Sequence, residues 1–173
     1  MGNKLPNFDT MRLFYKGDGW LAAQVKSAIG GAVDSSDIDD TCIVRISEPL
    51  NLASGIHLIP RWTEPFRTRQ GRDKRWYGLR VKEFWPYMEK KYGKPDVFAV
   101  GGDIKRELFE GKTGIIGFKV NFKGGSATGH FTLWDGNKLL YGGLDHDYFA
   151  ISHQAGLWQA GTAPVTRTLS APV

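Results

Sequence analysis

Few features of this chain announce a class, and its scarcest residue is cysteine: Cys42 stands alone among 173 residues. A single thiol excludes an internal disulfide framework and a cysteine-rich zinc site. No apolar run approaches the length needed to span a bilayer. The opening residues, Met1-Gly2-Asn3-Lys4-Leu5-Pro6-Asn7, lack the apolar core of a signal peptide. Met1-Gly2 begins a myristoylation signal, but Pro6 stands where Ser or Thr is wanted. No internal repeat and no second composition regime occurs, so residues 1–173 are expected to form a single domain. The tail from about residue 161, with Pro164, Pro172 and several Thr and Ser, is expected to be poorly ordered.

The totals are those of a globular protein. Hydrophobic residues make up 41% and charged residues 24%, and the length supports a real core. A formal net charge of +5 draws the chain to anionic partners, whether nucleic acid, acidic lipid or an acidic polymer such as peptidoglycan. The most basic stretch, Arg67-Thr68-Arg69-Gln70-Gly71-Arg72-Asp73-Lys74-Arg75-Trp76-Tyr77, ends in two aromatics. Cations beside aromatic rings suit single-stranded nucleic acid, and in that reading Cys42 is inert. No RNA- or DNA-binding motif accompanies the stretch, so a solvated loop is the simpler account.

The surroundings of the lone thiol are more informative. Asp34-Ser35-Ser36-Asp37-Ile38-Asp39-Asp40-Thr41 is a run of small polar residues of the kind that caps helix starts. Ile43, Ile46 and Leu50 follow at three- and four-residue spacing, which gives one apolar helix face. Cys42 therefore falls in the first turn, where free N–H groups and the helix dipole favour a thiolate. A lone cysteine is also a common small core filler, so position alone leaves both readings open. Pro49 predicts a kink or an end to this helix near Ile46.

Far downstream, Gly129-His130-Phe131-Thr132-Leu133-Trp134 alternates like a half-buried strand and runs into an Asp135-Gly136 turn. A thiol at a helix start and an imidazole on a later strand is the order that a papain-like cysteine hydrolase needs. In that scheme His130 takes the thiol proton and the Cys42 N–H serves the oxyanion. A third group must hold the imidazole. The chain that follows the histidine holds polar side chains for that role, Asp135, Asp145 and Asp147 among them.

Elsewhere, helices are expected over Trp20–Ile29 and from Val81 to Tyr92, the latter kinked at Pro86. Trp62 to Arg75 reads as irregular loop, and Asp96 to Glu110 as ambiguous with room for a short helix. Gly114 to Phe122 reads as strand, and Leu139-Leu140-Tyr141 as a return strand. His57, between Ile56 and Leu58, reads as a packed histidine.

These blocks together resemble the Tae4 family of type VI secretion amidase effectors. The resemblance is carried by Asp40-Thr41-Cys42-Ile43-Val44-Arg45-Ile46-Ser47, Trp76-Tyr77, Lys90-Lys91-Tyr92-Gly93, Gly111-Lys112-Thr113-Gly114 and Ala127-Thr128-Gly129-His130-Phe131-Thr132-Leu133-Trp134. The blocks come in the family's order and cover most of residues 10–150. The resemblance implies an α+β fold of the NlpC/P60, papain-like kind, with the cysteine helix packed against an antiparallel sheet that carries the histidine. It implies a catalytic set of Cys42, His130 and an aspartate shortly after the histidine, for which Asp145 fits the spacing before Tyr148-Phe149 and Asp147 is the second choice. It implies a DL-endopeptidase that cuts peptidoglycan stem peptides between γ-D-glutamate and meso-diaminopimelate, without metal or cofactor. It further implies synthesis in a bacterial cytoplasm, delivery by the type VI apparatus into a rival's periplasm, and a cognate immunity protein, with no nucleic acid and no membrane insertion. Another cell-wall hydrolase of this fold, such as a phage lysin, would share the same site.

Overall fold

The computed structural model describes residues 2–121, 128–143 and 146–162. The described residues form helices α1 (Phe8–Leu13), α2 (Ala22–Ile29), α3 (Cys42–Ala53), α4 (Val81–Tyr92) and α5 (Tyr148–Ile151). The strands are β1 (Thr68–Gln70), β2 (Trp76–Gly78), β3 (Val97–Val100), β4 (Gly114–Lys119), β5 (Gly129–Trp134) and β6 (Gln154–Gln159). The result is a mixed α+β fold in which every strand pairing is antiparallel. No described helix is long and apolar enough to cross a membrane. Apart from residues 161 and 162, the expected tail lies outside the described residues.

The main sheet has the order β3-β6-β4-β5, which leaves β5 at one edge. Side chains alternate across it, and both faces are covered. On one side, Cys42, Ile43, Ile46 and Leu50 of α3 and Phe84, Trp85 and Met88 of α4 share a core with Ile115, Phe131, Leu133 and Trp158. On the other, Ile116, Phe118, Trp134 and Leu157 pack with Phe109, Tyr148 and Phe149. Gly117 and Gly156 face each other across β4 and β6. A Cβ on either would come within about 3 Å of the Trp85 ring, so the two glycines form the slot in which that indole lies.

Helix α3 is the axis of the fold. Residues Cys42–Ser47, Pro49, Leu50 and Asn51 are all buried. The expected break at Pro49 does not occur, and the helix runs on to Ala53. Proline removes one backbone hydrogen bond, but a helix packed on nearly every side is held by tertiary contacts that outweigh that loss. Asn51 adds to them: its Nδ2 donates to Trp76 O at 2.7 Å and its Oδ1 accepts from Ile59 N at 2.9 Å. Helix α1 packs Phe8 and Met11 against the same core, and α2 packs Val25 and Ile29 on Val44.

Several local expectations change. Helix α2 begins at Ala22, after the exposed Trp20 and Leu21, where Gln24 Oε1 accepts the Leu21 N–H at 2.9 Å. The stretch read as loop holds the β1–β2 hairpin, turned through Lys74 at φ 66°. The ambiguous segment supplies β3 and a short 3-10 turn, Arg106–Leu108. The return after β5 is a single bridge, Trp134 to Leu139, and not a strand. Helix α4 passes through Pro86 without ending. Its Tyr92 hydroxyl meets His57 Nδ1 at 3.0 Å, so that histidine is a packing residue.

Candidate active site

The start of α3 is closed by the residue two before it. Thr41 caps no backbone group with its side chain; Asp40 Oδ1 accepts the Cys42 N–H at 2.8 Å. The expected oxyanion donor is therefore occupied by a carboxylate. The Thr41 hydroxyl is used sideways, accepting from Arg45 Nε at 3.0 Å. Cys42 itself is fully buried, with its sulfur facing the backbone N–H of Phe131 at the outer edge of β5.

That contact places the sulfur against the backbone of the strand that carries His130, one residue along from it. Asp40 lies close enough to both to shift the ionisation of each. His130 is 2% exposed and stacks on Tyr148, ring centroids 4.4 Å apart and planes 12° from parallel. Its Nε2 sits 2.7 Å from Tyr141 O. A carbonyl only accepts, so Nε2 carries the hydrogen and Nδ1 is the basic nitrogen. The tautomer is thus fixed by the backbone of the chain that returns along β5.

Both groups rest neutral. Burial pushes the Cys42 thiol well above its usual range; the Asp40 charge adds to this, and the N–H groups of Phe131 and Ile43 oppose it. The thiolate expected at a helix start is not the resting form, because loss of water outweighs the dipole. Burial pushes His130 down, helped by the nearby Arg45 cation; the Tyr141 carbonyl, Asp40 and Asp18 pull it up. A neutral thiol and a neutral imidazole suit proton transfer during attack rather than a standing ion pair.

A cleft of roughly 600 Å³, lined by Asp40, Arg69, Arg80, Lys82 and Thr128, adjoins the site at Asp40, the residue that accepts the Cys42 N–H. Asp40 lies two residues from Cys42, and Thr128 two from His130. Cations and carboxylates share its walls, with Arg69 paired to Asp37. Of the two aromatics that end the basic stretch, Tyr77 is 2% exposed, with its hydroxyl on Asp73 at 2.8 Å, and cannot stack on a base, while Trp76 is half-buried against the core. No cluster of three or more His, Cys, Asp or Glu able to hold a metal occurs among the described residues.

Of the candidate third groups, Asp135 caps its own turn, accepting from Asn137 N at 3.0 Å and Lys138 N at 2.8 Å. Asp147 caps α5, accepting from Phe149 N at 3.1 Å, and so holds the Tyr148 ring beneath the imidazole. Asp145 lies outside the described residues. Sequence reasoning missed Tyr141, Asp18 and Arg45 as neighbours of the site. By residue type, Gly17-Asp18-Gly19 breaks the lead-in and Asp18 or Gly19 opens the next helix, and a backbone carbonyl leaves no trace in residue type.

A family model described as Tae4, type VI secretion system (T6SS), amidase effector protein 4, matches residues 38–160. The chain belongs to the Tae4 family. Tae4 from Salmonella Typhimurium, solved in an effector–immunity complex with Tai4, is 31% identical, with a TM-score of 0.77 over 91% of this chain and 99% of that one. Tae4 from Enterobacter cloacae is 28% identical, with a TM-score of 0.78 over 92% of this chain and 99% of that one. No curated protein sequence matches. As a Tae4 amidase effector the protein is an enzyme that breaks an amide bond, and the matched span holds both Cys42 and His130.

Proposed function

We propose that this Tae4 amidase digests peptidoglycan by cysteine catalysis, hydrolysing the γ-D-glutamyl–meso-diaminopimelate bond of stem peptides. Cys42 is the nucleophile, His130 the proton carrier and Asp145 the carboxylate that steadies the imidazolium during turnover. The observation that supports this reading is at the edge of β5: a buried sulfur faces the Phe131 N–H of the same strand whose His130 has its tautomer set by Tyr141 O.

As the sulfur attacks the amide carbonyl, its proton passes to His130 Nδ1. The tetrahedral oxyanion takes the Cys42 N–H once Asp40 swings away into the cleft. Collapse of the intermediate breaks the C–N bond, with the Nδ1 proton leaving on the amine. The resulting thioester is then attacked by water, which gives its proton to Nδ1; collapse returns that proton to the sulfur and frees the carboxylic acid.

The chain acts as one catalytic domain of the NlpC/P60, papain-like kind. It is made in the producer's cytoplasm and delivered by the type VI apparatus into a rival's periplasm. An immunity protein like the Tai4 bound to its relatives closes the cleft. Mass spectrometry of muropeptides after digestion of purified sacculi tests the reading. Fragments with a new amino terminus at diaminopimelate are expected; cleavage at another bond assigns the site to a different wall hydrolase, and intact sacculi overturn the enzyme reading.

A further inference from the structure

The carbonyl that meets His130 belongs to a short segment held from an unexpected direction. Tyr141 sits between two residues tied to Asp18: Asp18 N donates to Leu140 O at 2.9 Å, and Asp18 Oδ1 accepts from Gly142 N at 2.8 Å. The Tyr141 N–H itself goes to Thr132 Oγ1 at 3.0 Å, and that hydroxyl also meets Tyr15 OH at 2.9 Å. The tie is close, since a Cβ on Gly17 would stand 2.3 Å from Leu140 O.

The segment carrying Asp18 is in turn clamped to the cysteine helix. Arg45 is fully buried and spends its guanidinium on backbone carbonyls: Nη1 on Lys16 O at 2.7 Å and Gly17 O at 2.8 Å, Nη2 on Trp20 O at 2.8 Å. The same guanidinium lies 3.7 Å over the Tyr141 ring. A line of polar contacts therefore runs from α3 through residues 16–20 to Tyr141 O and ends on the imidazole. Residues 16–20 lie outside the span matched by the family model.

We infer that Asp18 is a positioning residue of the amidase site: by holding Leu140 and Gly142 it aims the Tyr141 carbonyl at His130 Nε2 and so keeps Nδ1 free to take the thiol proton. The inference rests on the assignment of His130 as the proton carrier. The alternative tautomer puts the hydrogen on Nδ1, and a ring so protonated cannot accept from sulfur. Asp18 touches neither nucleophile nor substrate in this scheme; it acts through backbone alone. Its charge has a second effect in the same direction as that of Asp40. Of the charged groups around the ring, Asp18 and Asp40 favour the imidazolium and Arg45 opposes it. Tyr141 and Tyr148, the rings packed against it, are held neutral by burial.

The test combines nitrogen-15 NMR of the imidazole with kinetics on purified stem peptide, in the full chain. Wild type is expected to show His130 as the Nε2–H tautomer near neutral pH. Asp18→Ala is expected to mix the tautomers and lower kcat about 10- to 100-fold with KM little changed. Asp18→Asn keeps the acceptor and is expected to restore the tautomer and most of kcat, while its acid limb of kcat/KM moves to lower pH because a favourable charge is gone. A wild-type ring protonated at Nδ1 overturns the inference whatever the variants do. So does a lowered kcat in Asp18→Ala with the tautomer unchanged, or Asp18→Asn as damaged as Asp18→Ala. The NMR arm is repeated in Cys42→Ala, where no turnover is needed, so a failure of the cysteine assignment and a failure of this one are read separately.

Discussion

Asp40 Oδ1 accepts the backbone N–H of Cys42 at 2.8 Å, so a carboxylate occupies the amide that an oxyanion would use. The same charge raises the pKa of the Cys42 thiol. Removing it is expected to pull the thiol down towards its ordinary range and to lower His130 as well. In Asp40→Asn the pH profile of Cys42 alkylation by iodoacetamide should therefore move to lower pH. At a fixed pH below the midpoint, the reaction should run about tenfold faster for every pH unit that the midpoint falls. An unchanged profile would show that Asp40 does not govern the thiol.

Cys42→Ala is expected to abolish digestion of sacculi while the circular dichroism melt stays close to wild type, since alanine fills most of the same buried volume. His130→Ala should lose activity by a factor of at least about 100 and slow thiol alkylation as well. Digestion that survives Cys42→Ala would remove the nucleophile from the scheme.

Asp145→Asn is expected to cost more kcat than Asp147→Asn. Asp147 works as a helix cap, and asparagine caps about as well as aspartate. Asp147→Ala should instead lower thermal stability by about 1 kcal/mol through the lost cap. Ranking both asparagine variants by kcat on stem peptide decides which carboxylate serves the imidazole; the reverse order moves that role to Asp147.

Arg45 is a buried cation satisfied by carbonyls and one hydroxyl, with no carboxylate among its hydrogen-bond partners in the described residues. Lysine carries the charge but not the planar fork, and cannot reach all four acceptors at once. Arg45→Lys is expected to destabilise the fold by about 2–4 kcal/mol, measured by urea denaturation. A loss within about 0.5 kcal/mol would mean that water can replace the fork.

The two residues proposed to carry the chemistry were legible as candidates because each announces itself locally. Cys42 follows a polar run and opens an apolar helical stripe, and His130 opens an alternating strand ended by a turn. The α+β class was implied by the family resemblance that these blocks carry. What escaped was set by tertiary contacts. Pro49 sits inside a helix because its neighbours are buried on every side. Gln154-Ala155-Gly156-Leu157-Trp158-Gln159 looks ordinary as a sequence, yet it is the strand between β3 and β4; glycine there is favoured by Trp85 and not by strand propensity. Asp18 looked like part of a breaker because its partners lie more than a hundred residues away. The thiol's charge state also escaped, since burial depends on the whole fold and the helix dipole only on its first turn.

Strand β6 joins β3 to the rest of the sheet, and it lies downstream of every other strand. A chain still emerging from the ribosome can hold both the thiol and the imidazole while the sheet behind them is missing its middle. Chains ending before Gln154 should therefore fail to digest purified sacculi: hydrolytic capacity arrives only when translation has passed that strand.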